Sequence, residues 1–132
     1  MNKNDGPLIL LVDDDKATVS IFEKLLYSEG YRVSKAYDGK SALKIIEEKK
    51  PKVVVLDLIM PIMDGISTMI EIKKKYPDTI VVAISGGGLN QPDGYLRGAI
   101  KLGAHAALSK PIKGNVLLDT ISNLLSSNWK DL

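Results

Sequence analysis

Acidic residues end two apolar runs of this sequence, and their side chains could share one cation. Val53–Leu56 is followed by Asp57, and Leu8–Val12 is followed by the triplet Asp13–Asp15. Carboxylates with no cysteine or histidine beside them suit a hard ion. Mg²⁺ fits best, because a site with few carboxylates leaves positions for waters and a phosphoryl oxygen. Crowded carboxylates in a half-buried site also repel one another unless a cation is present. The two acidic endings therefore indicate a Mg²⁺ site.

A hydroxyl group and an ammonium group follow two further apolar runs. Ser85 comes directly after Ile80–Ile84, and Lys110 comes directly after Ala106–Ser109. Beside carboxylates, these groups complete a surface that can bind a phosphoryl group, and phosphoryl transfer depends mainly on positioning and charge neutralisation. Asp57 is the predicted nucleophile, because a carboxylate can accept a phosphoryl group as an acyl phosphate.

The elements that must position these groups alternate between apolar runs and amphipathic segments. Strands are predicted at Leu8–Val12, Tyr31–Ala36, Val53–Asp57, Ile80–Ile84 and Ala106–Ser109. Helices are predicted at Lys16–Glu29, around Ala42–Ile46, and at Ile66–Tyr76, Tyr95–Leu102 and Val116–Leu125. This alternation implies right-handed βαβ units, and hence an α/β domain with one doubly wound parallel sheet covered on both faces. Ligands bind at the carboxyl edge of such sheets, so the four polar endings should meet in one crevice.

Glycines and aspartates mark the ends of the predicted elements. Asp38 is a predicted helix cap, and Gly30 is placed just past a helix end. After the central strand, Pro61, which fixes φ, and Gly65, which can take positive φ, are expected to form the loop. Asp15 is interpreted as a cap or turn former rather than as a member of the site.

Length and composition favour one ordinary globular domain. The chain has 132 residues, of which 45% are hydrophobic and 26% charged, and it contains no cysteine. These values exclude the disordered and membrane-spanning classes, and they predict a single domain at 1–132 with a core at about 7–127. The net charge of +2 and the 5% of aromatic residues argue against a nucleic-acid partner. With no membrane segment and no signal for export, a cytoplasmic location is expected.

The chain resembles a response-regulator receiver domain of the stand-alone kind. The motifs LLVDDD, DLIMPIMDG and VVAIS and the pair Lys110-Pro111 stand in the family order, and the match covers about Pro7 to Ser127. The resemblance implies a flavodoxin-like fold with strand order 2-1-3-4-5. It also implies a signalling protein rather than an enzyme. Such a protein takes a phosphoryl group from a sensor histidine kinase or a histidine phosphotransfer protein and then changes its binding to an unknown protein target.

The resemblance also assigns roles around the metal. Asp57 is the phosphoacceptor, and Asp14 and Asp57 ligate Mg²⁺ directly. Asp13 acts mainly through a water, and the backbone carbonyl of Ile59 supplies a third protein ligand. Ser85 takes the position whose hydroxyl bonds a phosphoryl oxygen after modification.

Lys110 takes the position whose ammonium pairs with the acceptor and then with the phosphoryl group.

Three departures from the family pattern stand beside these matches. The aromatic residue usual three positions before the lysine is replaced by Ala107, which puts the usual coupling to an output face in doubt. The segment Gly86–Gly94 is longer and richer in glycine than usual, and a mobile loop is expected there. Ile59 and Gly87 stand where polar residues would position an attacking water, so slow loss of phosphate is a hypothesis.

Other interpretations remain open at this point. A small aspartyl-nucleophile phosphatase would use Asp13 and Asp15, but its threonine position holds Ala17. A flavin-binding electron carrier shares the sheet order, yet the acidic first loop would repel a flavin phosphate. A receiver fold that binds partners without phosphorylation is a third alternative, for which Ala107 leaves room. His105, the lone histidine, is expected to be a surface residue rather than a metal ligand, and Trp129 could mark a contact surface.

Overall fold

Five parallel strands and five helices alternate along the chain. A computed structural model describes residues 5–60, 65–86 and 92–126. The strands are β1 (Leu8–Val12), β2 (Arg32–Ala36), β3 (Val53–Asp57), β4 (Ile80–Ser85) and β5 (Ala106–Ser109). The helices are α1 (Lys16–Ser28), α2 (Gly39–Lys49), α3 (Gly65–Lys75), α4 (Pro92–Lys101) and α5 (Gly114–Ser126). Trp129 and most of the loop predicted at Gly86–Gly94 lie outside the described residues. Within them, no helix has both the length and the hydropathy that a membrane span needs.

The strands form one sheet in the order β2-β1-β3-β4-β5, as the sequence predicts. Every pairing is parallel, and the register places Asp57 beside Ile84 and Ser85 beside Ser109. Strands β1, β3 and β4 are buried along their whole length, which explains why they read as continuous apolar runs. The carboxyl ends of the central strands therefore lie side by side at one edge.

Alternate residues of the buried strands feed two separate core layers. Leu10 and Val54 pack with Ile46 of α2 and with Met69 and Ile72 of α3 on one face. The other face buries a second set, whose members come from β1, β3, β4, α1 and α5. That set includes Ile9, Leu11, Val53, Val55, Val82, Leu26, Leu117 and Ile121. Because both faces are covered, only the edges and loops of the sheet meet solvent.

The predicted helix caps are confirmed. The Asp15 carboxylate accepts hydrogen bonds from the Ala17 N–H at 3.1 Å and the Thr18 hydroxyl at 2.7 Å, and so caps α1. Asp38 caps α2 by accepting the Ser41 N–H at 2.7 Å. Gly30 and Gly103 have φ values of 95° and 112°, which end α1 and α4.

Two helices start earlier than predicted. Gly65, predicted to lie in the loop, is the first residue of α3. A Cβ there would clash with the Asp57 carbonyl oxygen and the Leu58 Cα, so glycine is needed for this close approach. Helix α4 starts at Pro92, three residues before Tyr95, because proline is suited to the first helical turn.

Candidate functional site

Four strand ends deliver polar side chains to the carboxyl edge of the sheet. Asp57 and Ser85 end β3 and β4, Asp13 follows β1, and Lys110 follows β5. Oxygens of Asp13, Asp14 and Asp57 all lie within 4.8 Å of one another, with Asp13 and Asp57 buried and Asp14 exposed. The structure therefore brings these predicted carboxylates together in one cluster.

Asp13 and Asp57 are held in the same way by the chain that follows them. The Asp15 N–H donates to Asp13 Oδ1 at 2.9 Å, and the Ile59 N–H donates to Asp57 Oδ1 at 3.0 Å. Each carboxylate thus closes a local turn with the residue two positions later. This fixes one oxygen of each group and leaves Oδ2 for other partners.

Lys110 joins the two buried carboxylates through those second oxygens. Its ammonium group donates to Asp13 Oδ2 at 2.9 Å and to Asp57 Oδ2 at 3.4 Å. Its backbone N–H donates to the Ser85 carbonyl at 2.8 Å, which fixes the start of the side chain at the end of β4. The predicted pairing with Asp57 is present, but the shorter contact is with Asp13. The sequence offered no signal for that preference, since both carboxylates follow strands.

Burial changes the acidity of these groups. The pKa of Asp57 is raised to about 6, because burial disfavours the carboxylate and the charge of Asp13 adds to the effect. The Ile59 N–H and the Lys110 ammonium oppose this rise. For Lys110, burial alone would lower the pKa, but the hydrogen bond to Asp13 and the charge of Asp57 raise it overall. Lys110 is therefore a cation at neutral pH. Ionisation of Asp57, in contrast, lowers the stability of the folded protein.

Ser85 carries a polar atom that lacks a partner among the described residues. Its side chain is fully buried, and Oγ makes no hydrogen bond in the described part of the chain. An unsatisfied buried hydroxyl is costly, typically about 1–3 kcal/mol. An incoming acceptor atom, such as an anionic oxygen, would remove this cost.

The remaining predicted positions differ in how they meet solvent. The Ile59 side chain is 47% exposed at the rim beside Asp57, and the role of its carbonyl as a metal ligand stays a prediction. Ala107 lies half-buried on β5 with no ring to move. His105 is half-buried rather than fully exposed, and its Nδ1 accepts the Val81 N–H at 3.1 Å. It lies outside the carboxylate cluster.

An open groove that the sequence did not indicate lies next to Lys110. Its volume is about 560 Å³, and it runs between α1 and the segment that follows β5. It is lined by Thr18, Ile21, Phe22, Gly86, Lys110, Pro111 and Ile112. Ile21 is 65% exposed. The groove offers an apolar surface that reaches the cationic end of the site.

Comparison with known proteins gives a consistent result. The profile of the family described as "Response regulator receiver domain" matches residues 9–122. A receiver domain protein described as CheY-like, from Methanospirillum hungatei JF-1, is 26% identical with a TM-score of 0.85, and the alignment covers 96% of this chain and 98% of that one. The receiver domain of NtrX from Brucella abortus is 34% identical with a TM-score of 0.83, covering 90% of this chain and 99% of that one.

The fold also occurs inside longer proteins. A longer NtrX structure from Brucella abortus is 32% identical over 89% of this chain, which corresponds to 26% of its own length, with a TM-score of 0.82. The receiver domain of the Francisella response regulator 1452 is 29% identical with a TM-score of 0.81, covering 90% of this chain and 96% of that one.

Proposed function

Because the chain belongs to the response regulator receiver domain family, we propose that it accepts a phosphoryl group on Asp57 from the phosphohistidine of a partner protein. The donor is a sensor histidine kinase or a histidine phosphotransfer protein. The observation that carries this proposal is the Lys110 ammonium, which bridges Asp13 and Asp57 inside a cluster of three carboxylates.

The transfer can be written from the side chains of the site. An Asp57 carboxylate oxygen forms a bond to phosphorus, the bond between phosphorus and the histidine nitrogen breaks, and that nitrogen keeps the electron pair and takes a proton from solvent. Lys110 offsets the negative charge of the entering group, and the Ile59 N–H holds the other carboxylate oxygen in place. The site thus needs positioning and charge balance rather than a separate acid or base.

The carboxylate set fits Mg²⁺. Asp13, Asp14 and Asp57 offer only oxygen ligands, and two of the three are buried beside a single lysine. These residues would hold the ion, with the Ile59 carbonyl as a further ligand. When bound, the ion neutralises charge on the phosphoryl oxygens.

Ser85 couples phosphorylation of Asp57 to a change in conformation. Its buried hydroxyl has no partner among the described residues, so a phosphoryl oxygen on Asp57 would give it one. The new hydrogen bond favours the conformation of β4 in which the Ser85 hydroxyl reaches the phosphoryl group on Asp57. Phosphorylation thereby shifts an existing equilibrium between two conformations of the protein. The surface proposed to respond comprises α4 with the Leu102 that follows it, β5 and α5, where Ile100, Leu102 and Val116 are exposed. Its target would be another protein.

The groove beside Lys110 suits the donor. A donor must bring a phosphohistidine to Asp57, and the groove leads to Lys110 over an apolar surface that includes Ile21 and Phe22. An apolar helix face of the donor would bury these side chains. A cytoplasmic location follows from such a donor and remains part of the proposal.

Loss of the phosphoryl group is proposed to be slow. Ile59 offers no polar side chain to orient water beside Asp57, although it is exposed at the rim. An Ile59→Asn variant should lose phosphate several-fold faster than the wild type, because its amide can orient a water molecule. The lifetime is measured by following the adduct after the phosphodonor is removed. A wild-type lifetime of only seconds with Mg²⁺ present would contradict this view.

The deciding experiment is intact mass after incubation with acetyl phosphate and Mg²⁺. One adduct of about 80 Da, present in the wild type and absent in Asp57→Asn or without Mg²⁺, is the expected result for an acyl phosphate. Equal labelling of wild type and Asp57→Asn would contradict the assignment. Absence of an adduct when Mg²⁺ binds would favour the second candidate, a phosphorylation-independent binding module, for which Ala107 is the supporting observation.

A further inference from the structure

His105 makes two hydrogen bonds to one residue of the neighbouring strand. Its backbone N–H donates to the Val81 carbonyl at 2.8 Å, and its ring nitrogen Nδ1 accepts the Val81 N–H at 3.1 Å. Val81 lies on β4 one residue before the regular pairing with β5, which starts at Val82 and Ala106. The imidazole therefore takes the place of a main-chain carbonyl and satisfies a buried strand N–H.

This bond exists only for the neutral ring. Nδ1 can accept a hydrogen bond when it carries no proton, and in the imidazolium both ring nitrogens are donors. Protonation would leave the Val81 N–H facing another N–H in a place that is fully buried. A titratable side chain thus stands where the sheet needs a permanent acceptor.

The surroundings also oppose a positive charge on His105. Burial lowers the pKa of His105 first and the Lys73 ammonium of α3 lowers it further, and together they outweigh the hydrogen bond with the Val81 backbone, which raises it. The Lys73 side chain lies against Gly103 in the turn before β5, where an added Cβ would be 3.0 Å from its Cε. Its ammonium donates to the Pro77 carbonyl at 3.4 Å.

The other charged groups around this corner are few. Asp78, in the turn between α3 and β4, acts on Lys73 and raises the pKa of that ammonium against the effect of burial. Strands β4 and β5 contain no ionisable residue. On the described side chains of α4, Arg97 and Lys101 are exposed. Among the described groups, Lys73 is the cation whose charge lowers the pKa of His105.

Hydrogen bonds connect the turn that contains His105 to both α4 and β4. The Ala104 N–H donates to the Ala99 carbonyl at 2.9 Å and the Gly103 N–H to the Ile100 carbonyl at 3.0 Å, so the turn is tied to α4. His105 then ties the same turn to β4. We infer that His105 is an acid-sensitive clamp, whose protonation releases the turn between α4 and β5 from Val81. The device does not require phosphorylation and does not rest on the function proposed above.

The direction of the pH effect follows from linkage. The pKa of His105 is lower in the folded chain than in the unfolded chain. The stabilisation by the clamp is therefore complete above the ordinary histidine pKa of about 6.5 and is lost as the pH falls through the folded value.

The test is amide hydrogen exchange of Val81 measured by NMR from pH 5 to pH 8, as a ratio to Ala83. Ala83 lies on the same strand inside the regular pairing with β5, so the ratio removes changes in overall stability. In the wild type, the protection of Val81 relative to Ala83 should fall about threefold to tenfold at acid pH.

Two variants separate titration from packing. His105→Asn places an amide oxygen at the same number of bonds from Cβ as Nδ1, so its ratio should stay constant over the pH range. Lys73→Met removes the neighbouring cation, so the transition should move to higher pH while keeping its size.

Three outcomes would overturn the inference. The first is a wild-type ratio that does not change with pH, and the second is the same pH dependence in His105→Asn. The third is a ¹⁵N chemical shift showing a protonated Nδ1 at pH 8. All three are measured on the wild type or on His105→Asn, so the test does not depend on whether His105→Ala folds.

Discussion

The carboxyl edge of the sheet, where the strands end, and the amino edge, where they begin, differ in how completely their polar groups are paired. At the carboxyl edge, Asp13, Asp14 and Asp57 crowd like charges around Lys110, and Ser85 keeps a buried hydroxyl without a partner among the described residues. At the amino edge, the turns are closed by satisfied hydrogen bonds. The Lys52 N–H donates to the Leu8 carbonyl at 2.9 Å, the Ile80 N–H to the Lys52 carbonyl at 3.1 Å, and His105 pairs twice with Val81.

The difference teaches where this fold can accept a ligand. Groups that are fully paired gain nothing from a new partner, whereas crowded carboxylates and an unpaired hydroxyl gain from a cation and an anionic oxygen. Changes at the carboxyl edge should therefore alter stability with either sign. Changes at the amino edge should only weaken the fold.

The largest effect is expected from backbone contact at the carboxyl edge. In Gly65→Ala, the new Cβ meets the Asp57 carbonyl oxygen, and backbone atoms cannot move aside without displacing β3. We expect a loss of about 3 kcal/mol or more in the free energy of unfolding, measured by urea denaturation.

Gly98→Ala is the matched control for this substitution. Gly98 lies in α4, and a Cβ there would meet no atom of the described residues within 4 Å apart from its chain neighbours and its own helix backbone. A gain of about 0.5–1 kcal/mol is expected from helix propensity. Equal effects of the two substitutions would show that close approach at Gly65 is not limiting.

The next effect tests the crowded charges themselves. In metal-free buffer at neutral pH, Asp57→Asn should raise the free energy of unfolding by about 1–2 kcal/mol, because a buried carboxylate beside Asp13 is removed. Lys110→Met should lower it by a similar amount, since Asp13 and Asp57 lose their cation.

The pH dependence sharpens this prediction. Because the pKa of Asp57 is raised to about 6 in the folded protein, the wild-type carboxyl gains a proton as the pH falls through that value. The advantage of Asp57→Asn should therefore shrink toward pH 5. An advantage that grows on acidification would mean that Asp57 is stabilised as a carboxylate.

The smallest effect concerns the cap that supports Asp13. Asp15→Ala removes two hydrogen bonds at the start of α1 and should cost about 1 kcal/mol. Asp15→Asn should restore most of it, because an amide oxygen also caps a helix. Titration with Mg²⁺ on the same variants should show weaker binding in Asp15→Ala only, because loss of the cap loosens the turn in which the backbone N–H of residue 15 holds Asp13 Oδ1. If Asp15→Asn weakens Mg²⁺ binding as much as Asp15→Ala, the charge of Asp15 matters rather than its cap.

Much of the fold and the site followed from the sequence, for identifiable reasons. Strands buried on both faces read as apolar runs, so the polar residues at their ends, Asp57 and Ser85, were evident. Parallel pairing then placed these ends together. Asp15 was predicted correctly as a cap because it directly precedes an amphipathic segment.

What the sequence did not reveal depends on contacts between distant segments. Glycine at position 65 is explained by the approach of the Asp57 carbonyl, which no local pattern records. His105 pairs with Val81, 24 residues away, and a lone histidine carries no periodic signal. The preference of Lys110 for Asp13 likewise depends on the relative placement of β1 and β5.

The order of the strands also bears on how copies of this molecule behave at high concentration. The outermost strands, β2 and β5, are the ones whose main chain could pair with another molecule. Strand β2 carries exposed Arg32 and Lys35, and β5 has only four residues and is followed by Lys110-Pro111. Charge on one border, and shortness with a following proline on the other, protect the protein from growing into continuous sheets with its neighbours.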